Sequence, residues 1–198
     1  MTQEIFQLFS NLNFNWSVIE SLAVLFSLLY VILAAKENIW CWGAALISVS
    51  LYTYICYTAK LYPETGLQIF YLIMAIIGYF TWNKKSKEKI KEWSEFKHLI
   101  IIILGALFSF IMGFYFFTYT ESAMPIIDSI TTTFSIIATY MVVKKVLGNW
   151  LYWIVIDLLS VYMYFHRDLH LTSLLFVAYA TIAVFGYISW SYRIKKNE

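Results

Sequence analysis

The sequence predicts an all-α, polytopic membrane protein. Of its 198 residues, 61% are hydrophobic and only 13% are charged, whereas a soluble domain carries about 25% charged residues. So few charges cannot form a solvated surface, which excludes a soluble enzyme. A net charge of +2 is also too small for a surface that binds nucleic acid. Seven apolar segments, each near the roughly 20 residues that a helix needs to cross a bilayer, give the fold class.

The seven segments have no proline in their interiors, and irregular backbone cannot face lipid, so we expect each to be a helix. The predicted membrane-spanning helices are 17–35, 39–58, 66–82, 98–118, 126–143, 150–166 and 171–191. Pro63, Glu64 and Gly66 are expected to break the chain just before the third helix. The polar stretch 83–97 is predicted to be a cytoplasmic loop. Residues 1–16 contain no Lys or Arg, which is not typical of a cleaved signal peptide.

The basic residues predict how the protein is oriented. All 14 Lys and Arg residues except Lys60 and Arg167 follow an odd-numbered helix. Cytoplasmic loops carry the excess of positive charge in membrane proteins. We therefore expect the N-terminus outside and the C-terminus in the cytoplasm, which requires an odd number of spans.

Matching residues recur along the chain and indicate an internal repeat. The pairs that lie 108 residues apart are Glu20/Asp128, Ser27/Ser135, Lys36/Lys144, Tyr71/Tyr179, Gly78/Gly186 and Trp82/Trp190. Between them, Asn38 is matched to Asn149 and Trp42 to Trp153, both 111 residues apart. This larger offset predicts three additional residues, Val146 to Gly148, in the second copy.

The repeat predicts the organisation of the helices. Residues 17–82 and 126–191 are expected to form two three-helix units, joined by a linker helix over 98–118. The single linker helix makes the two units parallel, since three spans alone would invert the second copy. This 3+1+3 organisation is typical of transporters whose substrate site lies between the repeats, near the middle of the membrane.

Three acidic residues lie within the predicted spans, where ionisable groups are costly and are candidates for function. Glu20 and Asp128 lie near the outer ends of their helices. There they either interact with the helix dipole or shape the outer mouth of a pathway. Asp157 lies midway along the sixth helix, with no Lys or Arg closer in sequence than Arg167. It either binds a ligand or pairs with a hydroxyl group of another helix.

A polar and aromatic face is predicted along the sixth helix. Its members, three or four residues apart, are Asn149, Trp153, Asp157, Ser160 and Tyr164. A carboxylate beside aromatic rings suits a flat, cationic organic ligand, because a ring attracts a cation by about 0.5–2 kcal/mol. The candidate residues on other helices are Trp42, Ser48, Gln68, Tyr71 and Tyr179. We predict that these ten residues form a substrate site, with no catalytic residue, cofactor or metal.

Two segments carry a resemblance to a known family. The last two helices of the PnuC family of bacterial vitamin transporters are similar to NWLYWIVIDLLSVYMYFHRDLHLTSLLF, followed by GYISW. The earlier repeat of that family resembles LYTYICYTAKLYPETGLQIFYLIMAIIGYFTW. The resemblance covers about residues 17–192 and implies a full-length relative of the SWEET sugar carriers. It also implies facilitated diffusion of an unphosphorylated vitamin across the bacterial inner membrane, a cytoplasmic vitamin kinase that traps the product, and a homotrimer.

The resemblance leaves the vitamin open, since family members carry nicotinamide riboside, thiamine, riboflavin or deoxynucleosides. Carriers of nicotinamide riboside tend to have Asn at the positions equivalent to Ser48 and Asp157. The carboxylate in this chain therefore favours thiamine, with nicotinamide riboside as the alternative. Two other classes stay open: a binding subunit that needs an energising partner, and an enzyme. The enzyme is disfavoured because His98, His166 and His170 lie at the edges of spans.

Overall fold

A computed structural model of the chain describes residues 18–84, 89–119 and 123–197. Within these ranges it contains seven helices, each where the sequence predicts one. They are α1 (Val18–Ala35), α2 (Cys41–Thr58), α3 (Tyr62–Trp82), α4 (Glu95–Tyr119), α5 (Pro125–Val143), α6 (Asn149–His166) and α7 (His170–Asn197). The predicted absence of a signal peptide and part of the predicted loop 83–97 concern residues outside these ranges.

The starts of two helices differ from the prediction. α3 begins at Tyr62, so the expected break at Pro63, Glu64 and Gly66 was wrong. Proline is tolerated in a first helical turn, where its missing N–H would have no partner within the helix. α4 begins at Glu95, three residues earlier than predicted.

Five helices are long and apolar enough to cross a membrane by length and composition: α1, α3 from Glu64, α4, α5, and α7 up to Lys196. The other two, α2 and α6, have 18 residues each and are more polar. α2 is rich in serine, threonine and tyrosine, and α6 includes Asn149 and Asp157. That α2 and α6 also span the membrane stays a prediction. In the ring, α2 packs between α1 and α3, and α6 packs between α5 and α7.

Six of the helices form a closed ring. Around the ring, α1 contacts α2, α2 contacts α3, α3 contacts α5, α5 contacts α6, α6 contacts α7, and α7 contacts α1. Among the described helices, α4 contacts α5 alone and lies outside the ring. In the predicted repeat α1 corresponds to α5 and α3 corresponds to α7, so the α1–α7 contact and the α5–α3 contact are equivalent. We call α1–α3 and α5–α7 the two triplets. That they are two copies of one repeat joined by a linker helix, in a 3+1+3 organisation, stays a prediction.

The turns that follow α1 and α5 meet at one end of the ring. Glu37 in the first turn binds Lys145 in the second, with 2.6 Å between Oε1 and Nζ, so the two triplets run in the same direction. We call this the basic end; it comprises loops 36–40 and 144–148 and the end of α7. The opposite end, with turns 59–61 and 167–169, is called the far end.

These two turns correct the alignment of the repeat. Glu37 and Lys145 both have positive φ, 56° and 51°. The N–H of Glu37 donates to Ala34 O, as that of Lys145 donates to Val142 O. Five residues then separate each pair of helices, so the predicted insertion of Val146 to Gly148 was wrong. The offset stays at 108 residues from one triplet to the other.

The tryptophans follow the corrected alignment. Trp42 packs against Gly78, and Trp150 packs against Gly186, its repeat partner. Trp150, and not Trp153, is therefore equivalent to Trp42. Matching residues by type misled the alignment here, because α6 carries two tryptophans three residues apart.

Four tryptophans close the basic end of the ring. Trp42 meets Trp82 edge-on, with 5.3 Å between ring centroids, and Trp150 meets Trp190 in the same way at 5.4 Å. The indole N–H of Trp82 donates to Val143 O at 3.2 Å, and that of Trp190 donates to Ala34 O at 3.1 Å. Each bond joins the last helix of one triplet to the first helix of the other. The tryptophan cluster thus ties the two triplets together at the basic end.

Candidate functional site

The polar face predicted on α6 points into the protein. Asn149, Asp157 and Ser160 are buried, and Trp153 and Tyr164 are half-buried. The opposite side of the helix carries exposed apolar residues, namely Leu151, Val155, Leu158, Tyr162 and Phe165. The amphipathic pattern of α6 therefore places a carboxylate inside the ring and large apolar side chains outside it.

Asp157 is the most unusual of these inward-facing groups. It is 3% exposed, and no hydrogen bond or ion pair joins it to another of the residues in ranges 18–84, 89–119 and 123–197. The Tyr179 hydroxyl lies close enough to interact with it electrostatically. A buried carboxylate is expensive unless a cation or a proton accompanies it. Asp157 is therefore a candidate to hold either a cation or a proton.

Two serine–tyrosine pairs lie at the contacts between the triplets. Ser27 of α1 hydrogen-bonds Tyr179 of α7, and the hydroxyls of Ser135 on α5 and Tyr71 on α3 lie side by side. The two pairs are related by the 108-residue repeat. They therefore place hydroxyl groups at both seams, which are the lines of contact between the two triplets.

These groups lie at a similar depth. Ser27 is eight residues before the end of α1, and Asp157 is eight residues after the start of α6. At 1.5 Å per residue, both are about 12 Å from the basic end of their helices. We call the residues in the middle of the helices the central group: Trp153, Asp157, Ser160, Tyr71, Tyr179, Ser27 and Ser135. Gln68 lies about 21 Å from the basic end of α3 and so nearer the far end.

Besides Gln68, three of the ten predicted site residues lie nearer the ends of the ring. Trp42 belongs to the tryptophan cluster of the basic end. Asn149, also at that end, donates from Nδ2 to Val146 O at 2.7 Å. Tyr164 lies towards the far end and stacks on Phe176. From Asn149 to Tyr164 is about 22 Å along the helix, which is too far for one small ligand to contact both at once.

Ser48 has a packing partner of its own. Its hydroxyl is buried and donates to Ala23 O of α1 at 2.9 Å. Such bonds hold helices together in membranes. The hydrogen-bonding capacity of Ser48 as a donor is therefore used within the first triplet.

Ser27 and Ser135 were missed as site residues by reasoning from sequence. They served there as markers of the repeat. A signal was present, because each matches its repeat partner, as do Tyr71 and Tyr179 with which they pair. Polar residues kept in register in both copies are candidates for the surface between the copies.

The acidic residues near the far end have a more ordinary place. Asp128, in the first turn of α5, pairs with Arg167 in the turn after α6, with 2.8 Å between Oδ2 and Nη2. Glu20 lies in the first turn of α1. Both positions suit a carboxylate near a helix N-terminus.

The comparisons with known proteins agree with this architecture. The family model described as "Nicotinamide mononucleotide transporter" matches residues 17–192. The chain belongs to this family, the PnuC transporters. The resemblance predicted from the sequence is confirmed, and with it a membrane transporter that handles a vitamin.

Individual PnuC proteins are similar over most of their length. The nicotinamide riboside transporter PnuC of Neisseria mucosa is 26% identical over 197 residues, which cover 92% of this chain and 75% of that protein. The protein of the same name from Escherichia coli is 24% identical over 206 residues, covering 89% and 86%. A crystal structure of the vitamin B3 transporter PnuC matches with a TM-score of 0.74 and 26% identity, over 100% of this chain and 88% of that one.

Proposed function

We propose that this protein carries nicotinamide riboside across the bacterial inner membrane by facilitated diffusion. The relatives named above are nicotinamide riboside transporters, which favours the alternative substrate over the thiamine predicted from Asp157. The observation that carries the proposal is the match to these riboside transporters over most of the chain. The buried Asp157 carboxylate, which has no Lys or Arg beside it among the described residues, fits a cationic ligand.

The central group suits the chemistry of this vitamin. Nicotinamide riboside has a flat pyridinium ring with a permanent positive charge. Trp153 lies one helical turn from Asp157 and offers a ring for stacking, while Asp157 offers the counter-charge. Ser160 and the tyrosines Tyr71 and Tyr179 are hydrogen-bonding groups for the amide and the ribose hydroxyls.

The same site disfavours a phosphorylated vitamin. The helices carry no Lys or Arg except near their ends, at Lys97 of α4 and at Arg193, Lys195 and Lys196 of α7. A phosphate in the middle of the ring would have no basic partner and would lie near Asp157. We therefore propose the riboside, and not the mononucleotide, as the substrate.

The proposed cycle uses the two triplets as moving units. The N-terminus is placed outside and the basic end in the cytoplasm, following the distribution of Lys and Arg. The vitamin enters from the far end and binds the central group. The triplets then rock against each other until the basic end opens. A cytoplasmic vitamin kinase that removes the free vitamin would keep the concentration gradient directed inward. We also propose that the protein assembles as a homotrimer, as the resemblance to the family implies.

Binding calorimetry on the purified full-length protein tests the substrate. The ligands are nicotinamide riboside, its uncharged reduced form, nicotinamide mononucleotide and thiamine. We expect the cationic riboside to bind most tightly, because only it combines the charge with a phosphate-free ribose. Tightest binding of thiamine would return the assignment to that vitamin, and tightest binding of the mononucleotide would overturn the exclusion of phosphate.

The role of Asp157 is tested by Asp157→Asn. Riboside carriers tend to have Asn both here and at the position of Ser48. Because this chain has no Asn at position 48, we expect its carboxylate to supply the attraction. Asp157→Asn should then lose at least tenfold in affinity for nicotinamide riboside, about 1.4 kcal/mol, with little change for the uncharged reduced form. Asp168→Asn is the matched control, because it makes the same chemical change at a side chain that is 96% exposed. Equal affinity of wild type and Asp157→Asn for the riboside would refute the role given to the carboxylate.

A further inference from the structure

Three charged residues link the two triplets at the basic end. Glu37 binds Lys145 through Oε1 at 2.6 Å and Arg193 through Oε2 at 3.2 Å. Arg193 also donates to the carbonyl oxygen of Lys36 at 3.0 Å. Glu37 and Lys36 belong to the first triplet, while Lys145 and Arg193 belong to the second. Every one of these contacts therefore crosses from one triplet to the other.

The ion pair is shielded from water. The Lys145 side chain is 6% exposed and that of Glu37 is 20% exposed. The Lys145 ammonium also lies 4.7 Å from the centroid of a Trp82 ring. A charge held this deeply depends strongly on its partner, because removing one member leaves the other desolvated and unpaired.

The cluster lies directly over the tryptophans that close this end. Trp82 and Trp190 bond to carbonyl groups of the opposite triplet, one short turn from Glu37 and Lys145. The thiol of Cys41 is fully buried in the same cluster. A path through the basic end would have to part the ion pairs and the tryptophan bonds together.

We propose that Glu37, Lys145 and Arg193 form a latch that holds the basic end closed and must break in each transport cycle. When the end opens, each charge exchanges its partner for water, so the ion pairs set the balance between the closed and the open state. Loss of Glu37 leaves Lys145 unpaired in the closed state alone. Such a loss therefore favours the open state.

The latch rests on transport by movement of the two triplets, as proposed above, and not on the identity of the vitamin. Its test uses the two native cysteines as reporters, without substrate. Cys41 reports on the basic end, and Cys56, near the end of α2, reports on the far end. The full-length protein is placed in lipid nanodiscs, which expose both ends, and labelled with a methanethiosulfonate reagent. Cys56→Ser isolates the signal of Cys41, and Cys41→Ser isolates that of Cys56.

In Glu37→Gln we expect Cys41 to react about tenfold faster or more than in the parent protein, with no increase at Cys56. The triple exchange Glu37→Lys, Lys145→Glu and Arg193→Glu restores opposite charges at both ion pairs of the cluster, since residue 37 contacts both partners. It should therefore react more slowly than Glu37→Lys alone. Asp128→Asn is the control, because it removes an ion pair of similar length that lies within one triplet.

Three results would overturn the latch. The first is an unchanged Cys41 rate in Glu37→Gln. The second is an equal increase at Cys41 and Cys56, which would indicate general loosening of the fold. The third is a triple exchange that reacts as fast as Glu37→Lys alone. If binding calorimetry finds no vitamin but Cys41 behaves as expected, the proposed substrate fails and the latch stands.

Discussion

Replacing Gly78 with alanine should destabilise the protein through a direct clash with a tryptophan. A Cβ at Gly78 would lie 2.4 Å from Trp42 Cζ2 and 2.5 Å from two further ring atoms. Trp42 cannot retreat easily, since it is fully buried and is held edge-on by Trp82. Overpacking of this kind costs about 1–3 kcal/mol. For a chain of this size, about 2–4 °C of melting temperature corresponds to each kcal/mol, so the expected drop is about 2–12 °C.

Gly66→Ala provides the matched control in the same helix. A Cβ there would meet nothing within 4 Å, and alanine favours a helix over glycine by up to about 1 kcal/mol. Its melting temperature should therefore stay the same or rise. Both variants are measured by thermal denaturation of the purified protein in one detergent. Equal melting temperatures for Gly78→Ala and Gly66→Ala would refute the close packing of Trp42 on Gly78.

Three further predictions follow from named contacts. Trp190→Phe removes the buried indole donor to Ala34 O, which keeps only its bond from the Glu37 N–H. The expected loss is about 1 kcal/mol, seen as a lower melting temperature. An unchanged value would contradict the bond between the triplets. Arg167→Gln breaks the ion pair with Asp128, in which both side chains are about a third exposed. Thermal denaturation should therefore show a loss of stability below about 1 kcal/mol. A larger loss would contradict the treatment of this pair as a weak surface ion pair. Ser27→Ala removes the hydroxyl bound to Tyr179, and we expect weaker uptake of radiolabelled nicotinamide riboside into proteoliposomes. The control is Ser21→Ala, at an exposed position of the same helix. Equal uptake by the two variants would contradict a role for Ser27 at the contact between the triplets.

The helices could be predicted from sequence because the membrane imposes a simple rule on them. A lipid-facing backbone must satisfy its own hydrogen bonds, so long apolar segments become helices. The inward-facing side of α6 could also be predicted, because the spacing of Asp157 and Ser160 places both on the side of the helix opposite Leu158 and Phe165. Periodicity tells which side of a helix is polar, and the polar side of a buried helix faces its neighbours.

Contacts between distant residues could not be read in the same way. Nothing in the spacing along the chain says that Glu37 meets Arg193, because that contact depends on how α1 and α7 close the ring. The same limit explains the ten-residue site, which joined Asn149 and Tyr164 because they share a face. Sharing a face does not bring them to one depth, and only the three-dimensional ring separates the middle of the helix from its ends.

The opposite charges at Glu37 and Lys145 also bear on how a protein of this design could arise from two identical halves. The two residues occupy the same position in the repeat and face each other across the approximate two-fold axis. In a dimer of identical three-helix chains, any residue at this position would meet a copy of itself, glutamate against glutamate or lysine against lysine. Joining the halves in a single polypeptide lets one copy become acidic and the other basic. Fusion therefore makes possible an attraction on the axis that a symmetric ancestor could not have had.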